Sequence, residues 1–165
     1  MTRTASLSFV DPDLDGLAAL SGDLAVVLMP DGKLDASARR VNRLTKGAVA
    51  RLAESSRFAV AKDGDVITLA FPVGLEAEAV HVLRLPRRPD VELARKGGAA
   101  LARARGSRPL TLLTGVTQRV EEIAAGIVLR DYTFADHKTA DSADPADVTV
   151  MCAKPEETAA AAANA

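Results

Sequence analysis

The chain has 165 residues and a mass of 17.2 kDa, which suits one compact domain able to bury a core without disulfide or metal staples. Lys and Arg number 21 against 22 Asp and Glu, so no whole-chain field steers it toward nucleic acid or an anionic membrane, and any basic face has to be local. The single cysteine, Cys152, excludes an internal disulfide; the amino terminus lacks an apolar signal core and no apolar run approaches the ~18 residues of a bilayer crossing, so a soluble protein of a reducing cytoplasm is expected.

Hydrophobic residues make up 48% of the chain but aromatic ones only 3%, so the core is expected to be aliphatic. Short runs rich in Val, Ile and Leu predict buried strands at Ala5 to Val10, Leu24 to Met29, Val66 to Phe71, Ala79 to Leu85, Leu110 to Leu113 and Val148 to Cys152. Pro72-Val-Gly-Leu-Glu-Ala-Glu, between the third and fourth, is short enough for an antiparallel hairpin, and the other long gaps hold helices. One helix is expected between Ala38 and Ser55, with Val41, Leu44, Ala48 and Leu52 on one face, and a second from Asp90 to Arg105. A third runs from an N-cap at Thr117 to about Asp131, where Val120, Ile123, Ala124, Ile127 and Val128 form a core-facing stripe. The order β β α β β α β α β indicates an α/β domain, a mixed sheet of about six strands flanked by helices. From Asp136 to Pro155 the composition turns polar, and Glu156 to Ala165 is acidic and then Ala-rich. That end reads as the start of a helical linker, giving a domain over 1–152 and a linker from 153 to 165.

Several features bear on chemistry. Asp11-Pro-Asp-Leu-Asp-Gly16 opens like a calcium loop, but position 12 of such a loop falls on Gly22 rather than Glu, which favours an ordinary turn. His81, His137 and Cys152 have no partners at ligand spacing, so no metal site is expected within the chain. Thr114-Gly115-Val116-Thr117, between a strand and a helix, is where free backbone amides can hold a phosphate, although it lacks a Gly-rich fingerprint and a P-loop lysine. Arg84, Arg87, Arg88, Arg95, Lys96, Arg103, Arg105 and Arg108 stand against only Asp90 and Glu92; on one face they would suit a phosphate backbone, and otherwise a solvated face or a subunit interface.

Two stretches are more specific. Val41-Asn-Arg-Leu-Thr-Lys46-Gly47-Ala-Val-Ala-Arg-Leu52, followed by Phe58 and Lys62-Asp63-Gly64-Asp65-Val66, resembles the N-terminal domain of the leucyl aminopeptidase (cytosol aminopeptidase) family. Ala125-Gly126-Ile-Val-Leu129-Arg-Asp-Tyr132-Thr-Phe134-Ala-Asp-His137-Lys138-Thr139 is similar to the Gly, Leu, Tyr-x-Phe and Lys pattern that closes that domain. Where many members have Gly-Leu-Gly after the fourth strand, this chain has Leu83-Arg84-Leu85-Pro86-Arg87-Arg88.

The resemblance implies a fold similar to a macro domain, with Tyr132 and Phe134 anchoring the last helix. Family members are two-metal exopeptidases, usually hexameric, that use Zn or Mn to release N-terminal residues such as Leu. Their metal ligands and catalytic Lys and Arg lie in a C-terminal domain with an Asn-Thr-Asp-Ala-Glu-Gly-Arg motif, which this sequence does not contain. The expectation is therefore a chain with no catalytic residue and no metal of its own, packing on a catalytic domain and on sister subunits of a homo-hexamer. The alternative implied by the resemblance is a binding module, with Thr114 to Thr117 serving an ADP-ribose-type nucleotide and Arg84, Arg87, Arg88, Arg95 and Lys96 serving DNA.

Overall fold

The computed structural model of the chain describes residues 6–135 and 146–163, with 132–135 described by backbone only. Strands are β1 (Leu7–Val10), β2 (Asp23–Leu28), β3 (Val66–Ala70), β4 (Ala79–Arg84), β5 (Leu110–Leu113) and β6 (Val148–Met151). Helices are α1 (Ala36–Leu44), α2 (Ala48–Ala53), α3 (Ser56–Val60), α4 (Val91–Arg105), α5 (Val120–Ala135) and α6 (Pro155–Ala163). The six strands form one sheet in the order β1-β6-β5-β2-β4-β3, parallel throughout except for the antiparallel β3–β4 hairpin. This is the mixed α/β sheet expected from the sequence.

All six residues of β2 are buried, as a central strand covered on both faces requires. Ala25, Val27, Leu83, Leu112 and Val150 face α4 and α5, whose Leu101, Ile123 and Ile127 complete that layer. Leu24, Val26, Leu28, Val80 and Val82 face the opposite layer, with Val41, Val49, Leu52 and Phe58 from α1, α2 and α3. Alternation along each strand thus sorts the aliphatic residues into two cores.

Two expected boundaries are corrected. The segment from Ala38 to Ser55 is not one helix. Thr45 Oγ1 donates back to the Val41 carbonyl at 2.9 Å, Lys46 and Gly47 take φ of 56° and 87°, and the Asn42 side chain then accepts from Ala50 N at 2.8 Å to restart the chain as α2. Val49 therefore turns inward, where the single-helix register placed Ala48. Thr117 is likewise not the cap of α5. Its N–H closes a turn on the Thr114 carbonyl, Gln118 N donates to the Arg87 carbonyl at 2.8 Å, and Arg119 has φ 57°, so the helix begins at Val120.

α4 and α5 cross at backbone contact. A methyl group on Gly98 would overlap the Ile123 carbonyl oxygen, and one on Gly126 would overlap the Arg95 carbonyl oxygen, so each helix contributes the glycine that admits the other. Helix propensity alone favours Ala over Gly by about 1 kcal/mol. Gly98→Ala and Gly126→Ala are nonetheless expected to destabilise the fold by about 2 kcal/mol each in urea unfolding, because overpacking against backbone cannot relax by a rotamer change; a stabilising effect of either would contradict this crossing.

Candidate functional site

The connections after β2 and β5 leave neighbouring parallel strands toward opposite faces of the sheet, and open α/β sheets take ligands beyond the strand carboxyl ends at such a point. The turn Thr114–Thr117 lies there. Thr114 is buried, its hydroxyl donating to the Met151 carbonyl at 3.1 Å, and Thr117 is nearly buried. Gly115 has φ 57° and exposed Val116 follows. The amide of Val116 is directed at a carboxylate of the chain itself: it donates to Asp35 Oδ2 at 3.3 Å, while Asp35 Oδ1 accepts from Ala38 N at 3.0 Å and caps α1. A side chain at Gly115 would collide with that carboxylate. The Val116 amide is thus already engaged by Asp35, which ties the β5–α5 turn to the start of α1.

Four of the eight basic residues between Arg84 and Arg108 are engaged in ion pairs within the fold. Arg84 pairs with Asp63 at 3.1 Å, donates to the carbonyls of Phe58 and Ala61, and lies 5.3 Å over the Phe58 ring. Arg95 pairs with Glu122 of α5 at 2.7 Å. Arg105 is wholly buried and joins Asp131 at 2.7 Å and the carbonyls of Arg108 and Ala146, holding α4 to α5 and to the approach of β6. Burial pushes the Asp131 carboxyl up from the usual range, against the pull of Arg105. Arg87, Arg88, Lys96 and Arg103 are left at the surface.

Of the other sequence candidates, Lys46 and Gly47 form the α1–α2 corner and Gly126 faces α4. Tyr132 and Phe134 lie on the last turn of α5 by backbone, and His137 and Lys138 fall outside the described residues. Cys152 is a buried free thiol. Asp11, Asp13 and Asp15 are exposed, Asp15 within 4.0 Å of Arg40. Among the described residues no group of three or more His, Cys, Asp or Glu side chains is placed to hold a metal ion.

The most connected polar cluster escaped the sequence reading. His81, fully buried on β4, has Nε2 at 2.6 Å from Asp23 Oδ2 and Nδ1 at 2.8 Å from Thr68 Oγ1. Asp23 is also buried and accepts from Arg108 Nε and Nη2 at 3.0 to 3.1 Å. Since a carboxylate only accepts, the proton of neutral His81 sits on Nε2 and Thr68 donates to Nδ1. The hydroxyl–imidazole–carboxylate order matches that of a nucleophile relay. Here, though, both nitrogens are buried and engaged and Asp23 is shared with Arg108, so the cluster clamps β3, β4, β2 and the α4–β5 turn together. The signal that could have revealed it is a polar pair, Thr68 opposite His81, inside otherwise aliphatic strands.

Burial lowers the His81 pKa from its ordinary 6.5, the hydrogen bond to Asp23 opposing but not reversing the shift. A depressed native pKa means that the unfolded chain takes up the proton first. The clamp's contribution is therefore complete above about pH 6.5 and is lost as pH falls through the lower native value. Urea unfolding should show stability decreasing on acidification below pH 6.5, and His81→Gln should cost about 1–3 kcal/mol at pH 8 while flattening that dependence. A native His81 that titrates above 6.5 by NMR would contradict this.

No protein-family model matches the chain. It is 40% identical over 162 residues to a probable cytosol aminopeptidase of Cereibacter sphaeroides, a match that takes in 98% of this chain and 33% of the relative. Among solved structures, a tomato leucine aminopeptidase mutant superposes with a TM-score of 0.66 at 15% identity, over 99% of this chain and 36% of that one. A Trypanosoma brucei macrodomain in complex with ADP-ribose superposes with a TM-score of 0.64 at 12% identity, over 92% of this chain and 66% of that one. These two likenesses show a macro-domain type of fold, and the chain spans about a third of the curated relative's length. Along nearly its whole length the chain is thus similar in sequence to a third of a probable cytosol aminopeptidase and in fold to a leucine aminopeptidase, which is consistent with the N-terminal domain of that family.

Proposed function

We propose that this chain is the non-catalytic N-terminal domain of a cytosolic leucyl aminopeptidase, a two-metal exopeptidase releasing N-terminal residues such as Leu, and that it serves domain packing and hexamer assembly. The observation that carries this reading is one of coverage: similarity runs along 98% of this chain yet reaches only 33% of its relative, which leaves two thirds of the relative for catalysis. In this reading residues 1–152 form the domain, 153–165 begin the linker, and the Zn or Mn ions belong to the C-terminal domain. α6 fits the role of a linker start: none of its residues is buried, and it rests on α5 and β1 at one edge of the sheet.

The purified chain is expected to hydrolyse no leucine amide with Mn or Zn. A chimera in which it replaces the first third of the Cereibacter sphaeroides relative should keep hydrolysis and assembly. Turnover that follows the isolated chain through repurification, or a folded chimera that has lost both properties, would overturn the reading.

In the alternative of a nucleotide-binding module, a phosphate at Thr114 to Thr117 would compete with Asp35 for the Val116 amide. Accordingly, ADP-ribose at millimolar concentration is expected to leave the melting temperature unchanged, because a ligand that binds only the native state must raise it. A clear, saturable upward shift would restore the alternative.

A further inference from the structure

Phe71, immediately after β3, combines two unfavourable features: it is 79% exposed and its φ is 49°, a left-handed conformation that is rare for a bulky side chain. Val73 in the same turn is 63% exposed, and Val60, at the end of α3, is 79% exposed. β3 is an edge of the sheet. Phe71 N donates to the Glu78 carbonyl at 2.7 Å, which sets the phase of the β3–β4 ladder, so the N–H and C=O groups of Val66, Thr68 and Ala70 point away from β4. Among the described residues no other strand takes up these six groups. Beside them, between α3 and α4, runs a groove of about 480 Å³ whose lining includes Arg57, Val60, Val66, Ala100, Arg103 and Ala104. Neither Arg57 nor Arg103 has a carboxylate partner among the described residues.

We infer that this edge is a docking surface for a second copy of the chain, with β3 pairing antiparallel to the β3 of its partner about a two-fold axis at Thr68. The register is fixed by the chemistry of the edge. Only pairing of Thr68 with its own copy, and of Val66 with Ala70, satisfies all three outward residues on both strands. In that register Phe71 falls opposite Asp65, which is part of the groove lining, so the exposed ring of each copy meets the groove of the other. There it finds apolar Val60, Ala100 and Ala104 and the guanidinium groups of Arg57 and Arg103, and the negative face of an aromatic ring attracts such cations. A two-fold contact of this kind is self-complementary and closed, and it removes the open edge. The opposite edge is where the described chain ends: α6 rests on β1, five strand positions or roughly 24 Å from β3, so chain continuing from α6 starts far from this surface. The interface stands on geometry alone, independent of the aminopeptidase reading.

The test is sedimentation of the full 165-residue chain from low to high micromolar concentration, together with Phe71→Asn and Ala70→Pro. Asn tolerates the left-handed conformation, so Phe71→Asn should fold at least as stably as the parent while raising the dimer dissociation constant at least about tenfold. Ala70→Pro removes an outward N–H at a sheet edge, where Pro is tolerated in the fold, and should have the same effect on the dimer. Hydrogen exchange on the unaltered chain needs no variant: the amides of Val66, Thr68 and Ala70 should exchange more slowly as concentration rises. A chain that is monomeric throughout, or a dimer indifferent to both variants with no concentration-dependent protection of those three amides, would overturn the proposal and leave the edge to another partner.

Discussion

The fold depends on a carboxylate that water cannot reach. Asp23 opens the central strand β2, and a buried charge of this kind is tolerable only if it is paired and fully hydrogen-bonded. It obtains this from His81 on β4 and Arg108 on the turn into β5, while the Asp23 amide donates to the Pro109 carbonyl and Glu78 N donates to the carbonyl of Gly22 just before it. Strands β4 and β5, which flank β2, are thus registered to it at one end by a polar network rather than by aliphatic packing. Through Thr68 the same network reaches the edge strand β3. Removing His81 or Arg108 would leave the buried Asp23 with fewer of its hydrogen bonds, so the members of the cluster depend on one another.

From that registered sheet the two helical layers follow with different demands. The layer of α1, α2 and α3 is assembled from short pieces joined by side-chain caps, whereas α4 and α5 are long and approach until backbone meets backbone at Gly98 and Gly126. Arg105 and Asp131 pin the same pair from inside, and Arg95 and Glu122 pin it nearer the surface. Much of the positive charge that composition assigns to this region is consumed in holding helices together. Asp35 has a comparable effect at the strand carboxyl ends, where it accepts from the Val116 amide and ties the β5–α5 turn to α1. The outcome is a macro-type framework in which several of these charges hold the elements together.

The strands were legible within one or two residues, because runs such as Leu24 to Leu28 and Leu110 to Leu113 have no alternative to burial. α4 was legible at both ends, with Asp90 as its cap and a glycine after Arg105. Where local reading failed, the deciding partner was remote or hidden in a small side chain. Gln118 is held out of α5 by the Arg87 carbonyl, and the helix expected to run from Ala38 to Ser55 is broken by a Thr45 hydroxyl and restarted by the Asn42 amide. The turn at Thr114 to Thr117 was recognisable as a place where free amides could meet an anion, but nothing local says that Asp35, 81 residues before Val116, accepts from one of them. The arginines were visible as a cluster; that Arg105 and Arg108 each neutralise a buried aspartate is a property of the folded chain alone.

The central proposal is that this domain is part of an aminopeptidase about three times its length, a reading supported by the third of its relative that it covers. The most direct measurement is the size of the native gene product, by immunoblot of the source cells with an antibody raised against the domain. The account predicts a band about three times heavier than 17.2 kDa. A band at 17.2 kDa without a larger form would contradict it and mark the chain as a stand-alone module.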